Sequence, residues 1–301
     1  MTSDVHPSAI VVMGPTAVGK SELVVELAAR AGGEIVNSDA FQVYGGLDIL
    51  GAKPSSAVRA RIRHHLIGEV PLSSKFDVGQ WRRRAVQSIA EIAARGRVPI
   101  VCGGTGLYIR ALTHGLAELP PADSELRALL ETEALPQLVE RLRSLDPDSS
   151  VDMNNPRRVV RALEVCILTG HPFSSFRTQW ERGTKLRGVV LMRSREQLHE
   201  RIDARTLAMF EAGVLSEVAT AGEIGPTASQ MLGLREIRDL LAGKIAEAEC
   251  IEAIRRATRN YAHRQMTWFR KERGYSMVDL TSCGDSDLAI EHVMAAIRPP
   301  E

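Results

Sequence analysis

The chain lacks any apolar run long enough to cross a bilayer. Its first one, residues 9–13, has five residues, too few for a membrane span or for the apolar part of a signal peptide. A cytoplasmic location is therefore expected. Cysteine is scarce and scattered: Cys102, Cys166, Cys250 and Cys283 show no C-x-x-C spacing, which argues against a zinc module and suits a reducing compartment. A net charge is missing too. The 38 Lys and Arg and 37 Asp and Glu leave +1, so any surface for nucleic acid must come from local segregation of charge. No internal repeat or low-complexity tract is present. With 44% hydrophobic and 25% charged residues the composition is ordinarily globular. The 301 residues suffice for one large α/β domain with an insertion or for two modest domains.

What is present is organised around residues 10–21. Ile10, Val11, Val12 and Met13 form a short apolar run, Gly14, Pro15, Thr16, Ala17, Val18, Gly19, Lys20 and Ser21 follow with the spacing G-x-x-x-x-G-K-S, and Leu23, Val24, Leu27 and Ala28 continue at helical spacing. A strand, a phosphate-cradling loop and a helix N-terminus are predicted. Loop amides and the helix dipole face an anion, Lys20 adds a point charge, and Ser21 offers a hydroxyl to Mg²⁺. The motif defines a diphosphate or polyphosphate site and leaves the reaction open.

Residues 34–39 read as a second strand ending on Asp39. In parallel α/β sheets the ligand crevice lies at the carboxyl ends of strands, which places Asp39 near the phosphate loop; a turn or cap aspartate is the alternative. Gln42, Tyr44, Gly45, Gly46 and the sequence Ala52-Lys53-Pro54 mark an irregular loop beside that crevice. His64 and His65 are adjacent on an extended segment, point to opposite sides, and read as structural. A helix over 81–95 leads to a third predicted strand over 98–102. Gly103-Gly104-Thr105-Gly106 follows where many P-loop NTPases carry an acidic residue, which weakens an ATPase or GTPase reading and allows close approach of a ligand to the backbone.

From about residue 116 the strand signal stops. Residues 124–133 and 135–145 read as helices, and Asn155-Pro156 starts a helix that Gly170 ends. Arg157, Arg158 and Arg161 lie on that helix, either as a solvated face or facing an acidic partner. Strand signal returns over 188–192, before a helix carrying Arg195, Arg201 and Arg205. Residues 230–236 lead into a further helix, with Gly243 at its end. A last long helix spans about 250–272. Residues 255–273 hold seven basic side chains (Arg255, Arg256, Arg259, Arg264, Arg270, Lys271 and Arg273) against Glu272 alone. That asymmetry points to RNA or another polyanion, with a solvated basic helix as the alternative.

Together these stretches resemble the bacterial tRNA dimethylallyltransferases, also called tRNA isopentenyltransferases. The resemblance is carried by residues 14–21, 39–44 and 103–108, Arg158 with 161–165, Arg201-Ile202 with Arg205, and Arg264-Gln265 with 267–270, in the family's order. It implies an α/β fold, a P-loop kinase-like parallel sheet flanked by helices, with a helical insertion. The core is expected over 1–115 and 187–301, the latter with the basic C-terminal helix, and a tRNA-binding insertion over 116–186. The implied reaction moves a dimethylallyl group from dimethylallyl diphosphate to N6 of the adenosine 3′ of the anticodon, with Mg²⁺ as cofactor. The implied partner is the tRNA anticodon stem-loop, and a monomer suffices. By the same resemblance Asp39 is the base that accepts the amine proton, and Thr16, Lys20, Ser21 and Arg205 are the diphosphate and Mg²⁺ apparatus. Asp39, Ala40, Phe41, Gln42, Thr105, Arg127, Arg157, Arg158, Arg161, Gln230, Arg235, His263, Arg264, Gln265 and Arg270 are implied tRNA contacts.

The chain departs from the family pattern at Ala40 (usually Ser), Leu50-Gly51 (usually Gly-Thr), Leu234 (commonly Tyr) and His263 (commonly Lys). Rival readings are an adenylate isopentenyltransferase acting on free nucleotides, a small-molecule kinase, and a non-catalytic RNA-binding protein with a vestigial P-loop. The insertion and basic helix argue against the first. The missing acidic residue after the third strand argues against the second, and the joint presence of Lys20, Asp39 and Arg205 argues against the last.

Overall fold

The computed structural model describes residues 5–176, 186–272, 274–283 and 286–298; Arg273, counted above in the basic helix, lies outside them. The described strands are β1 (Ile10–Met13), β2 (Gly33–Asn37), β3 (His64–His65), β4 (Val98–Gly103), β5 (Arg187–Met192) and β6 (Ser276–Asp279). The helices are α1 (Lys20–Ala31), α2 (Ser56–Arg61), α3 (Val78–Ala94), α4 (Gly106–His114), α5 (Ser124–Leu130), α6 (Leu135–Leu145), α7 (Pro156–Thr169), α8 (Arg195–Glu211), α9 (Val214–Ala219), α10 (Leu234–Leu241), α11 (Glu247–Phe269) and α12 (Ser286–Ile297). The described residues fall into two compact units, within Met1–Thr113 plus Thr184–Glu301 and within His114–Gly183.

In the first unit all six strands form one parallel sheet in the order β3-β2-β4-β1-β5-β6. The central strand β1 is covered on both faces, so its run is apolar throughout rather than alternating. Its period of two still sorts the layers. Val11 and Met13 pack with Trp81, Ile89 and Ile92 of α3, Tyr108 and Leu112 of α4 and Phe269 of α11. Ile10 and Val12 pack with Leu23, Val24 and Leu27 of α1 and Ile290 and Val293 of α12. A smaller cluster, including Leu47, Leu50, Met209, Met231, Leu234 and Ile254, ties α8, α9, α10 and α11 to the 47–50 loop.

The sequence reading is corrected at the edges of this sheet. The strand expected third is fourth, because His64 and His65 pair with Ile35 and Val36 as a two-residue strand. β6, on the opposite edge, is exposed at three of its four positions, so hydrophobic patterning does not announce it. α3 starts three residues before the predicted helix, where Asp77 and Gln80 form a reciprocal capping box. The last long helix is displaced toward the N-terminus and stops at Phe269.

The second unit contains α5, α6 and α7 around Leu130, Leu138, Leu142, Val159, Leu163 and Cys166. Asn155 caps α7 through the Arg158 N–H, Pro156 occupies its first turn, and Gly170 ends it with φ 69°. Inside this bundle Glu164 is fully buried and accepts from Arg127 (3.0 and 2.9 Å), from Arg161 and from the Asp123 N–H (2.7 Å). Burial would raise the Glu164 pKa, but those bonds outweigh it and hold the group below its ordinary value.

Candidate active site

The site grows from the β1–α1 connection. Ala17 and Gly19 have left-handed backbones, with φ 64° and 106°, and curl the chain over the start of α1. This backbone form and the helix dipole both favour an anion. Lys20 Nζ donates to the Gly14 and Pro15 carbonyls at 2.9 and 2.7 Å. Burial, helped by nearby Arg205 and opposed by Asp39, pulls its pKa down to about 8. The segment after β5 adds arginines around the loop: Arg193 Nε donates to the Val18 carbonyl at 3.3 Å, Arg201 Nε to the Ala17 carbonyl at 2.7 Å, and Arg205 Nη1 to Thr16 Oγ1 at 3.0 Å. Arg205 Nε is enclosed without a partner among the described residues. A buried cationic donor left open beside an anion cradle is the feature a diphosphate would satisfy.

Asp39 stands two residues beyond β2 and lines the same crevice as Lys20 and Arg205. Its Oδ1 accepts from the Phe41 and Gln42 N–H groups at 2.9 and 3.4 Å. The turn role weighed for this residue is therefore real, and it fixes the carboxylate rather than exhausting it. Among the described residues nothing bonds Oδ2. Asn37 braces the turn from behind, accepting from the Asp39 N–H at 3.2 Å and donating to the Leu66 carbonyl at 3.0 Å. Thr105 Oγ1 accepts from the Ala40 N–H at 3.1 Å. Cys102, on the same wall, is pushed up to about 11 by burial and remains a thiol rather than a nucleophile.

In the glycine run that ends β4 and begins α4, Gly103 and Gly104 line the crevice, and packing adds a second reason for glycine. A Cβ on Gly104 would lie 2.4 Å from Gln265 Nε2, and one on Gly106 2.5 Å from the Trp268 ring. Side chains of α11 press on this backbone, so protein packing requires these glycines. Gln265 lines the same crevice from α11. Expected among RNA contacts, it is buried, accepts from the Thr16 N–H at 2.8 Å and donates to the Gly104 carbonyl at 2.9 Å.

The remaining expected contacts divide. Phe41, Gln42 and Asp39 line the crevice, with Gln42 Nε2 also donating to the Gly51 and Ala52 carbonyls at 3.3 and 3.0 Å. His263, Arg264, Arg270, Arg235 and Gln230 are exposed on the first unit, and Arg157 and Arg158 on the second. Arg127 and Arg161 are engaged by Glu164. Arg255 and Arg259, counted as part of the basic face, pair with Asp203 of α8. Leu234 and Leu50 are buried in the core, 1% and 6% exposed. Sequence reasoning missed Tyr261 as a crevice residue; it sits under Arg264, 5.7 Å from ring centroid to guanidinium, and interacts with the Thr105 and Gln265 side chains. Its burial pushes the phenol up to about 12.

Among the described residues no cluster of three His, Cys, Asp or Glu forms a metal cage. Ser21, exposed on the crevice wall, is a residue that could hold a Mg²⁺ ion sharing phosphate oxygens and keeping its waters. No described helix is long and apolar enough to cross a membrane.

An anion cradle at the carboxyl edge of a parallel sheet, flanked by helices, with a fixed carboxylate across the crevice, defines a P-loop kinase-like α/β protein built to handle a phosphorylated ligand. The family model described as IPP transferase matches residues 42–272, and the chain belongs to that family. It is 42% identical over 262 residues to a tRNA dimethylallyltransferase of Akkermansia muciniphila, covering 86% of this chain and 89% of that protein. It is 44% identical over 276 residues to one of Halorhodospira halophila, covering 86% and 88%. The crystal structure of a tRNA isopentenylpyrophosphate transferase from Bacillus halodurans superposes with TM-score 0.71 at 33% identity, covering 96% and 95%. A eukaryotic dimethylallyltransferase acting on tRNA gives TM-score 0.82 at 28% identity, covering 97% of this chain and 80% of that one.

Proposed function

We propose that this chain transfers the dimethylallyl group of dimethylallyl diphosphate to N6 of the adenosine 3′ of the anticodon in tRNA, releasing diphosphate. The observation that carries the reading is the juxtaposition of Asp39, with one carboxylate oxygen open, and the Lys20 and Arg205 anion cradle in one crevice. An exocyclic adenine amine is a weak nucleophile. As N6 bonds to the allylic carbon, Asp39 takes its proton, and the C–O electron pair leaves with the diphosphate. The charge growing on that leaving group is met by loop amides, Lys20 and Arg205, donors already in place before reaction. Ser21 would hold Mg²⁺, which neutralises phosphate charge when bound. The adenine must leave its stack to reach the donor.

Around the crevice we assign Phe41, Gln42 and Thr105 to the acceptor base, and Arg235, His263, Arg264 and Arg270 to phosphates of the anticodon stem, where they set register rather than read sequence. Exposed Arg157 and Arg158 give the second unit the same role. The location is cytoplasmic and a monomer is sufficient. The test is labelled dimethylallyl diphosphate with unmodified tRNA and the Asp39→Ala variant. Turnover by the wild type and its near abolition in the variant, with tRNA binding retained, is the expected result; equal loss of turnover and tRNA binding overturns the base assignment.

A further inference from the structure

Gln265 sits where the family resemblance places RNA contacts, yet its side chain is 6% exposed and both ends are used inside the protein. The orientation of its amide is fixed by chemistry. The Thr16 N–H can only donate and the Gly104 carbonyl can only accept, so Oε1 faces the phosphate loop and Nε2 faces the loop after β4. Thr16 is also the residue whose hydroxyl accepts from Arg205. One carboxamide therefore joins three parts of the crevice: the anion cradle, the loop after β4 that begins α4, and α11. Gly104 has no room for a Cβ against Nε2, so the strut is tight. Tyr261, one turn earlier on α11, extends it by interacting with both Gln265 and Thr105, and Thr105 holds the Ala40 N–H beside Asp39.

We infer that Gln265 is a positioning residue for the prenyl diphosphate: it sets the Thr16 end of the phosphate loop against Arg205 and makes no contact with RNA. The inference rests on the prenyl-transfer reading. It acts through the donor half of the reaction, because a backbone N–H held by a buried side chain keeps Thr16 Oγ1 and Arg205 aligned before the donor arrives. Misplacing such a group by about 1 Å costs about 10²-fold in rate.

The experiment compares wild type with Gln265→Met, which keeps the shape and removes both polar ends, and Gln265→Asn, which is too short to span both partners. Steady-state parameters are measured separately for dimethylallyl diphosphate and for tRNA, with affinity for inorganic diphosphate by calorimetry and for tRNA by filter binding. The expected result is a fall of about 10²-fold in kcat/KM for the donor, weaker diphosphate binding, and unchanged tRNA affinity. Weakened tRNA binding with unchanged donor parameters overturns the inference, as does a loss of kcat with both KM values and diphosphate affinity intact, the pattern of a merely less stable protein. If Gln265→Met does not fold, Gln265→Asn decides by the same readings. Wild type that fails to transfer in this assay removes the underlying reading instead, while calorimetry with inorganic diphosphate still tests the strut.

Discussion

At the scale of the residue, Lys20 carries the clearest pH signature. Its ammonium, pulled down to about 8 by burial, is charged below that value in the free protein and loses its proton as pH rises through it. Diphosphate binding draws on this charge, and because inorganic diphosphate also titrates in this range, the signature is the extra fall in affinity above about 8 that wild type shows relative to Lys20→Met. Calorimetry across that range checks it: Lys20→Met should bind weakly and keep only the pH dependence of the ligand itself, and parallel profiles for the two proteins would contradict the assignment. The phosphate loop was readable in the sequence because glycine, lysine and serine spacing reports backbone geometry directly. Gln265 was not, because its role depends on Thr16 and Gly104, which are distant in sequence and meet it only in the fold. Arg127 and Arg161 were readable as basic but not as partners of Glu164, whose burial depends on how three helices close around it.

At the scale of the element, α11 presses Trp268 on the first residue of α4. Gly106→Ala would place its Cβ 2.5 Å from the indole, an overpacking that costs about 1–3 kcal/mol. A lowered urea midpoint, with recovery in the Gly106→Ala, Trp268→Leu double variant, is the expected outcome; additivity of the two substitutions would refute the contact as the cause. In the second unit, Glu164→Ala leaves two arginines without their shared carboxylate. The partial exposure of both, 37% and 27%, moderates the cost to about 2 kcal/mol, read as reduced urea stability. Because folding lowers the Glu164 pKa, its contribution is present above the ordinary carboxylate range and fades as pH falls through the folded-state value. The central strands and the longer helices up to α11 were legible from periodicity, whereas the short α2 and α9 and the C-terminal α12 were not read. The edge strands β3 and β6 were not, since one is two residues long and the other mostly exposed.

At the scale of the whole molecule, near-zero net charge conceals a division of labour. Counting along residues 255–273 overstates the free basic charge, because Asp203 and Glu252 pair with Arg255 and Arg259. Asp203 comes from another helix, which a linear count cannot see. Arg256, Arg264, Arg270 and Lys271 remain exposed on the described part of that segment. These charges suit a polyanionic acceptor, whereas the crevice by itself suits any adenine carrier. The most direct measurement therefore offers labelled dimethylallyl diphosphate to the full chain with unmodified tRNA, AMP and ATP in parallel. Label transferred to N6 of adenosine in tRNA, with diphosphate released and the free nucleotides unmodified, is the predicted result; label appearing only on AMP or ATP would contradict it.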